Sequence, residues 1–545
     1  MTTFSQHFAA VRERIAALAR EATPGRPLAA ILEAAQQGQG LATDDVAALM
    51  AWGREAGHQA EIHAAARSVR RQSASRTIEF IIPEYLTSFC QNDCLYCGYR
   101  KSNALAERVR LSGEEYEREL ELILAMGHRQ IELVLADDPE FGWERLVPYV
   151  ALTRRKLLDL GGGVVALNAP AYDEESYRQL RAAGLDWVAL WQETYDEAQF
   201  GRWHFQGSPK RQYEFRLDVW DRAIAAGFTR LALGILFGLY DWRFEVLALV
   251  EHAGYLRKTY GMEPYALGIP RLKPARGVAA SQKPSRYGVS DEDYRLAVSL
   301  YHLAFPRTRL FFNTRETCDF NLSMIERGDL FTVDCETLPG AYVRGRLPGQ
   351  FATHAYPPRS EVVAEFTRQG YACRYLEPEI PERLAALAAP SRESEAPAVL
   401  RRSACEHGEI RQRLSEWQAF MEGLRDSPAH LRWVAASELR ERLQYFETSY
   451  IAHCRNEENA MQALATLTPE DEVRVGRLRG EHERFAVDLD RWLRQVVSYE
   501  QSGDPTALLT LGRRMTGELG AHLDAEDQFF AAWLDGGSPP PPGAN

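Results

Sequence analysis

Cys90, Cys94 and Cys97 fall within eight residues, in the segment Phe89-Cys-Gln-Asn-Asp-Cys-Leu-Tyr-Cys-Gly98. Three thiolates at C-x3-C-x2-C spacing can hold three corners of a [4Fe-4S] cube and leave one iron without a protein ligand; a cluster built for electron transfer alone takes a fourth cysteine. No fourth cysteine lies within the next 200 residues, so the open iron is available to a small molecule. A zinc knuckle, or three unrelated thiols in a turn, are the alternative readings.

A second constellation stands near the other end of the chain. His407, His453 with Glu457, His482, and His522 with Glu526 are spread one set per predicted helix. In the two His-x-x-x-Glu pairs, the i to i+4 spacing puts both groups on one helix face. Four imidazoles and two carboxylates are what a pair of irons or similar metals takes from a helical bundle, with the carboxylates able to bridge. Asp527 competes with Glu526 as the last ligand, and ligand type alone does not choose among iron, manganese and zinc.

The elements that must position these groups follow from composition and periodicity. The 545 residues, 45% of them hydrophobic, predict several globular domains. A net charge of -12 supplies no basic field for nucleic acid, and no Lys/Arg-rich run marks a membrane surface. Neither a signal peptide nor an apolar run of transmembrane length is read, and the eight cysteines do not form a disulfide framework, which predicts a reducing cytoplasm.

From residue 76 a short aliphatic or β-branched run followed by an amphipathic stretch recurs eight times: Ile78 to Tyr85, Gln130 to Ala136, Val164 to Pro170, Trp187 to Glu193, Arg230 to Gly238, Tyr265 to Pro274, Leu310 to Glu316 and Leu330 to Thr337. This rhythm predicts an α/β fold, a parallel (β/α)8 barrel of TIM type over 76–377, with reactive groups at the C-terminal strand ends. The cysteines follow the first run, Asp137 and Asp138 the second, Asn168 the third, and Glu193 closes the fourth. Arg271 closes the sixth and Arg315 the seventh. Residues 1–75 read as a helical extension with a helix N-terminus at Thr43-Asp44-Asp45. Residues 378–399 read as a proline-rich linker, 400–534 as an all-α four-helix bundle, and 535–545 as a disordered tail.

Cys90-Gln-Asn-Asp-Cys94-Leu-Tyr-Cys97-Gly-Tyr-Arg-Lys-Ser-Asn103 resembles the aromatic amino acid lyases of the radical S-adenosylmethionine (SAM) superfamily, the tyrosine lyases of thiamine synthesis and of [FeFe]-hydrogenase maturation with their tryptophan-acting relative. Gln192-Glu-Thr-Tyr195, Gly207-Ser-Pro-Lys210, Asp221-Arg-Ala, Asp241-Trp-Arg243, Ile269-Pro-Arg271, Thr314-Arg-Glu316 and Glu336-Thr-Leu-Pro-Gly340 agree in order, over residues 28–377. The resemblance implies a [4Fe-4S] cluster that cleaves SAM to a 5'-deoxyadenosyl radical, which takes hydrogen from the amino group of an aromatic amino acid so that the Cα–Cβ bond breaks. It also implies a low-potential electron donor such as a flavodoxin or ferredoxin. By position, Tyr96 and Gly98 would line the adenine edge, and Asp137 or Asp138 would accept the SAM ammonium. Glu193 would bind SAM, and Arg315, with Arg271 as runner-up, would take the substrate carboxylate through its planar fork.

Three departures qualify this. Ala136-Asp-Asp-Pro-Glu140 lacks the glycines of the usual Gly-Gly-Glu-like turn. Cys335 stands where the family has a serine- and glycine-rich turn. Cys373, Cys405 and Cys454 do not reproduce the C-terminal cysteine motif of the hydrogenase-maturation lyases, so the thiamine-type lyase is the nearer model. The bundle resembles hemerythrin-like (HHE cation-binding) domains, implying a di-iron or other di-metal centre. Ala486 replaces the further histidine of oxygen carriers, which points to oxygen reduction, sensing or iron handling. The readings are therefore a tyrosine lyase with a protective or iron-supplying bundle, the same enzyme acting on tryptophan or another aromatic, or an oxygen or iron sensor with a non-turnover barrel.

Overall fold

The computed structural model describes residues 2–534 apart from 22, 39, 283–284, 345–348, 389–390, 425–434, 437–438, 440–441, 444–445, 447–449, 463–467 and 503; some further helical positions are described by backbone alone. The proposed tail at 535–545 lies outside the described residues. The described residues fall into two compact units, one over 2–343 and 349–381, the other over 382–534 together with Arg344.

In the first unit, four helices (Phe4–Glu21, Leu28–Gln36, Thr43–Trp52, Ala56–Ser73) precede the sheet. Thr43 is the first residue of its helix, with Asp44 and Asp45 in the first turn where the helix dipole favours negative charge. Phe4 stacks on His252 at 3.4 Å between ring centroids, tying the extension to the helix Trp242–Tyr260.

Ten parallel strands follow: β1 (Thr77–Phe80), β2 (Ile82–Thr87), β3 (Gln130–Leu135), β4 (Val164–Asn168), β5 (Trp187–Glu193), β6 (Leu231–Ile235), β7 (Ala266–Gly268), β8 (Arg309–Phe312), β9 (Leu330–Phe331) and β10 (Ala372–Arg374). The first predicted run is one strand broken at Ile81. Its β1 half pairs with β9 and its β2 half with β3, so the sheet curls round on itself as eight staves, the number the sequence rhythm predicts. The tenth strand carries no sequence signal of its own. β10 pairs with the free side of β1, and Arg129 N donates to Tyr375 O at 2.9 Å, filling the wedge where β1 parts from β3.

Strand alternation turns Ile81, Val164, Ala166, Trp187, Ala189, Ala232, Ala266, Phe311 and Leu330 into the barrel, where they form an apolar plug. The small residues of β6 and β7 make room for an indole. A Cβ on Gly234 would lie 2.1 Å from Trp191 Cε3 and 2.6 Å from Gly268 O, and one on Gly268 2.5 Å from Trp191 Cη2. Gly234→Ala is expected to destabilise the barrel by about 1–3 kcal/mol through overpacking. Chemical denaturation checks this, and an unshifted midpoint would speak against the packing described.

The second unit is helical: Ser391–Gly423, Ile451–Gln462, Pro469–Ser502 and Thr506–Leu534, with Trp417 and Trp492 edge to face at 4.9 Å in its core. Helix occupies much of the described part of the proline-rich stretch 378–399. Pro381 opens the helix Pro381–Ala388, a position where its missing N–H costs nothing, and the first bundle helix already runs from Ser391 through Pro397. Among the described residues no helix is long and apolar enough to cross a membrane.

Candidate functional site

At Thr87 β2 gives way to the cysteine loop, which is fastened to the end of β3. Gln91 N donates to Asp137 O (2.8 Å), Gln91 Nε2 to Asp137 Oδ1 (3.0 Å) and Asn92 Nδ2 to Asp137 Oδ2 (2.7 Å). Cys90, Cys94 and Cys97 carry free thiols and line one cavity of about 360 Å³ at the C-terminal mouth of the barrel. Burial pushes the Cys90 thiol up to about 11 and the Cys94 thiol up to about 12. Neither ionises there without a cation to compensate, and metal coordination supplies one. Three unbridged, convergent thiols of this kind fit an iron-sulfur cluster held by three ligands.

The same cavity brings together Tyr96, Asp137, Glu193 and Arg315. Glu193 ends β5 at a bulge with φ of 72°, a left-handed conformation that costs a non-glycine residue strain and aims its side chain inward. Burial works against its ionisation, but Lys210, with Nζ 2.6 Å away, and Arg216 at 3.8 Å hold it below the usual carboxylate range. Lys210 also lies 5.6 Å from the Tyr96 ring centroid, and the Tyr96 hydroxyl pairs with His204 Nε2 at 2.9 Å. Arg315 lies over the Phe351 ring at 3.4 Å from its centroid. Burial pulls its pKa down, Tyr85 and Glu193 opposing. Among the described residues no carboxylate pairs with its guanidinium. An anion entering the cavity would meet an unneutralised planar fork.

Three of the predicted site residues are placed elsewhere. Asp138 does not line the cavity: its carboxylate accepts from Thr87 Oγ1 (2.7 Å), Arg110 Nε (2.6 Å) and Nη2 (2.8 Å), and Glu140 N (3.0 Å), so it anchors the turn and leaves Asp137 as the acid facing inward. Gly98 does not line it either. It lets the chain at Gly349 and Gln350 cross the cysteine loop, since a Cβ there would lie 2.6 Å from Gln350 O. Arg271 is committed to Glu316 (2.8 and 2.5 Å) and Asp291 (2.6 Å) between the rings of Tyr294 and Phe320, which makes it a barrel-end ion pair.

Other lining residues do not stand out in the sequence: Lys210, Arg216, Tyr85, Glu132, Trp191 and Gln350. Lys210 ends a segment that matches a family motif, so its signal is present without a role. Gln350, whose Nε2 lies 3.5 Å from Cys97 Sγ, comes from an irregular segment and has none. Cys335 also lines the cavity.

In the second unit four imidazoles converge on two buried carboxylates. His407 and His453 Nε2 lie 2.9 and 3.1 Å from Glu457 Oε1, while His482 and His522 Nε2 each lie 3.1 Å from Glu526 Oε1. Glu526 Oε2 reaches to 3.5 Å from His407 Nε2, so its carboxylate spans both groups. Two ligand sets emerge, His407, His453, Glu457 and Glu526 on one side and His482, His522 and Glu526 on the other, each with donor atoms within 4.8 Å of one another. Glu457 Oε2, Glu526 Oε2 and His522 Nε2 are buried without a hydrogen-bond partner among the described residues. Burial opposes protonation of His453, yet Glu406 and Glu457 hold its pKa up to about 10, so the surrounding carboxylates favour positive charge at this place. The residues fit a pair of metals.

All four Nδ1 atoms face an outer carboxylate: His407 on Asp527 (2.6 Å), His453 on Glu406 (2.7 Å), His482 on Glu458 (2.9 Å) and His522 on Glu481 (2.8 Å). This fixes the tautomer that leaves Nε2 free for a metal. Asp527 therefore orients His407 and does not compete with Glu526 for the centre. Asp527→Asn is expected to weaken metal binding about 10- to 100-fold without emptying the site; chelator competition measures it, and unchanged affinity would remove Asp527 from the account. The side chain of Ala486 lies outside the described ones.

The Radical SAM superfamily profile matches residues 85–251, and the Hemerythrin HHE cation binding domain profile matches residues 406–534. Over 347 residues, 63% of this chain, the sequence is 30% identical to 2-iminoacetate synthase of Salmonella typhimurium and to that of Escherichia coli, covering 89% of each. The crystal structure of HydG, a maturase of the [FeFe]-hydrogenase, superposes with a TM-score of 0.61 at 25% identity, covering 83% of this chain and 96% of that one.

Proposed function

This chain belongs to the radical SAM family that includes the 2-iminoacetate synthases and carries a C-terminal hemerythrin HHE domain, and on that footing we propose that it is a carbon–carbon lyase acting on tyrosine or a related aromatic amino acid. The observation that carries this reading is the gathering of three free cysteines, Asp137, Glu193 and Arg315 around one cavity at the barrel mouth.

Cys90, Cys94 and Cys97 would hold a [4Fe-4S] cluster. Such a cluster would supply the electron that breaks the S–C5' bond of SAM, giving methionine and the 5'-deoxyadenosyl radical. Asp137, its two oxygens already steadied by Gln91 and Asn92, accepts from the SAM ammonium through its remaining lone pairs. The Glu193–Lys210 pair beside Tyr96 supplies a carboxylate for ribose hydroxyls and an ammonium for a carboxylate. Arg315, backed by Phe351, takes the substrate carboxylate and so holds the amino group at a fixed place. In the bundle, His407, His453, His482, His522, Glu457 and Glu526 would hold two metals, which we assign to iron in the service of the oxygen-labile cluster, as oxygen scavenger or iron store. A flavodoxin- or ferredoxin-type donor supplies the electron, and a reducing cytoplasm suits the free thiols.

The test is anaerobic: the reconstituted protein receives SAM, a low-potential reductant and tyrosine or tryptophan. p-Cresol with 5'-deoxyadenosine supports a tyrosine lyase. An intact cluster that binds SAM but yields no 5'-deoxyadenosine above background with either amino acid contradicts the lyase reading and favours a sensor.

A further inference from the structure

Beneath the ring of cysteines the cavity has a polar floor that the roles above leave unused. Glu132 lies five residues before Asp137 on β3, opposite Pro83 of β2 and Ala166 of β4, where the apolar plug meets the open space. Strand alternation fixes its direction: Ile131 and Leu133 join the outer core, while Glu132 and Val134 line the cavity. Thr332, next along the chain from β9, lines the cavity too, so the two polar residues flank the Pro83 stave, whose proline offers no donor. Trp191 and Phe311, with centroids 6.4 Å apart, add aromatic wall.

Both polar groups are under-used. Glu132 is 3% exposed, and among the described residues its carboxyl accepts one hydrogen bond, a long one from Asn168 Nδ2 at 3.4 Å. Thr332 is 1% exposed, and its hydroxyl has no partner among the described residues. Leaving a hydroxyl such as that of Thr332 buried and unpaired costs on the order of 1–3 kcal/mol, and leucine or valine at these two places would have continued the plug with no polar group to satisfy. Burial pushes the Glu132 carboxyl up to about 7, with Asn168 opposing; in either protonation state an oxygen remains to accept a hydrogen bond.

We propose that Glu132, assisted by Thr332, is the specificity-determining contact for the far end of the substrate, which must carry a hydrogen-bond donor on its ring, a phenolic O–H or an indole N–H, so that phenylalanine is rejected. The inference rests on the lyase reading. It places the amino acid with its carboxylate toward Arg315 at the mouth and its ring toward the floor. A site built to bond a substrate hydroxyl discriminates strongly against the analogue lacking it, because its own buried groups are then left unpaired.

The experiment uses the full chain, reconstituted anaerobically, with tyrosine, tryptophan and phenylalanine compared by 5'-deoxyadenosine release. For the better of the first two, kcat/KM is expected to exceed that for phenylalanine by on the order of 100-fold or more. Glu132→Gln, which keeps an accepting carbonyl, should retain the preference. Glu132→Leu should shrink it to within about tenfold, mainly by raising KM for the donor-bearing substrate, with cluster content and denaturation midpoint confirming an intact fold. Should the leucine variant not fold, calorimetric binding of tyrosine, tryptophan and phenylalanine to the unreduced, SAM-loaded wild type decides: the better donor-bearing ligand binding at least tenfold more tightly supports the proposal. Equal use or equal binding of phenylalanine, or a preference unchanged in Glu132→Leu, overturns the proposal while leaving the lyase reading intact. No response to any of the three amino acids overturns both.

Discussion

Arg315→Ala is expected to lower kcat/KM for the amino acid by about 100- to 1,000-fold while SAM still binds. The guanidinium stands over Phe351 with no carboxylate partner among the described residues, so the substrate carboxylate would be its counter-ion. Removing one member of a buried charge pair leaves the other uncompensated, at a cost of roughly 3–5 kcal/mol. Arg315→Lys restores charge without the planar fork and should recover only part of the loss. Arg271→Lys is the control. Because Arg271 is spent on Glu316 and Asp291, its replacement should shift the denaturation midpoint more than the affinity for substrate. If the two arginines exchanged these behaviours, the assignment of the carboxylate would have to be reversed.

The second large effect belongs to the bundle. Glu526→Ala is expected to abolish stoichiometric loading of both metals, because its carboxylate faces His482 and His522 through one oxygen and His407 through the other. Metal analysis after equilibration with ferrous iron should find less than one ion per chain in the variant against two in the wild type. The apo wild type should bind its metals with release of protons, since the surrounding carboxylates raise the pKa of His407, His453 and His522. A variant that still takes up two ions would show that Glu526 is not shared.

How much of this the sequence carries depends on the range of the signal. The staves are legible because each is a local run of apolar residues with a helix after it, and residues at strand ends inherit a common location from the topology. Cys90, Cys94, Cys97, Asp137, Glu193 and Arg315 can thus be named together from the amino-acid order alone. Asp138 and Arg271 stand at strand ends too, but position on a strand end does not say which carboxylate or guanidinium is already spoken for. Arg110 and Glu316, distant in sequence, decide that.

Glu132 carries no such signal, because a single acid within an aliphatic run reads as an interruption, and only the barrel's inward face gives it meaning. In the bundle the four histidines stand out by rarity, whereas their outer partners Glu406, Glu458, Glu481 and Asp527 are lost among 76 acidic residues. Only their spacing from each Nδ1 separates them from solvated helix surface. The helix Pro381–Ala388 is hidden by its proline, because proline marks a break in the middle of a helix but a favourable start at its first turn.

In the proposed lyase the barrel holds an aromatic amino acid by its carboxylate on Arg315, with the amino group presented to the radical. Hydrogens on nitrogen exchange with solvent and those on carbon do not, so the most direct measurement is mass analysis of 5'-deoxyadenosine formed by the anaerobic holoenzyme in deuterium oxide from unlabelled tyrosine or tryptophan. The expected result is substrate-dependent 5'-deoxyadenosine carrying one deuterium, matched mole for mole by the released ring product. Substrate-dependent 5'-deoxyadenosine without deuterium would mean that hydrogen is taken from carbon, and the placement of the substrate against Arg315 would be wrong.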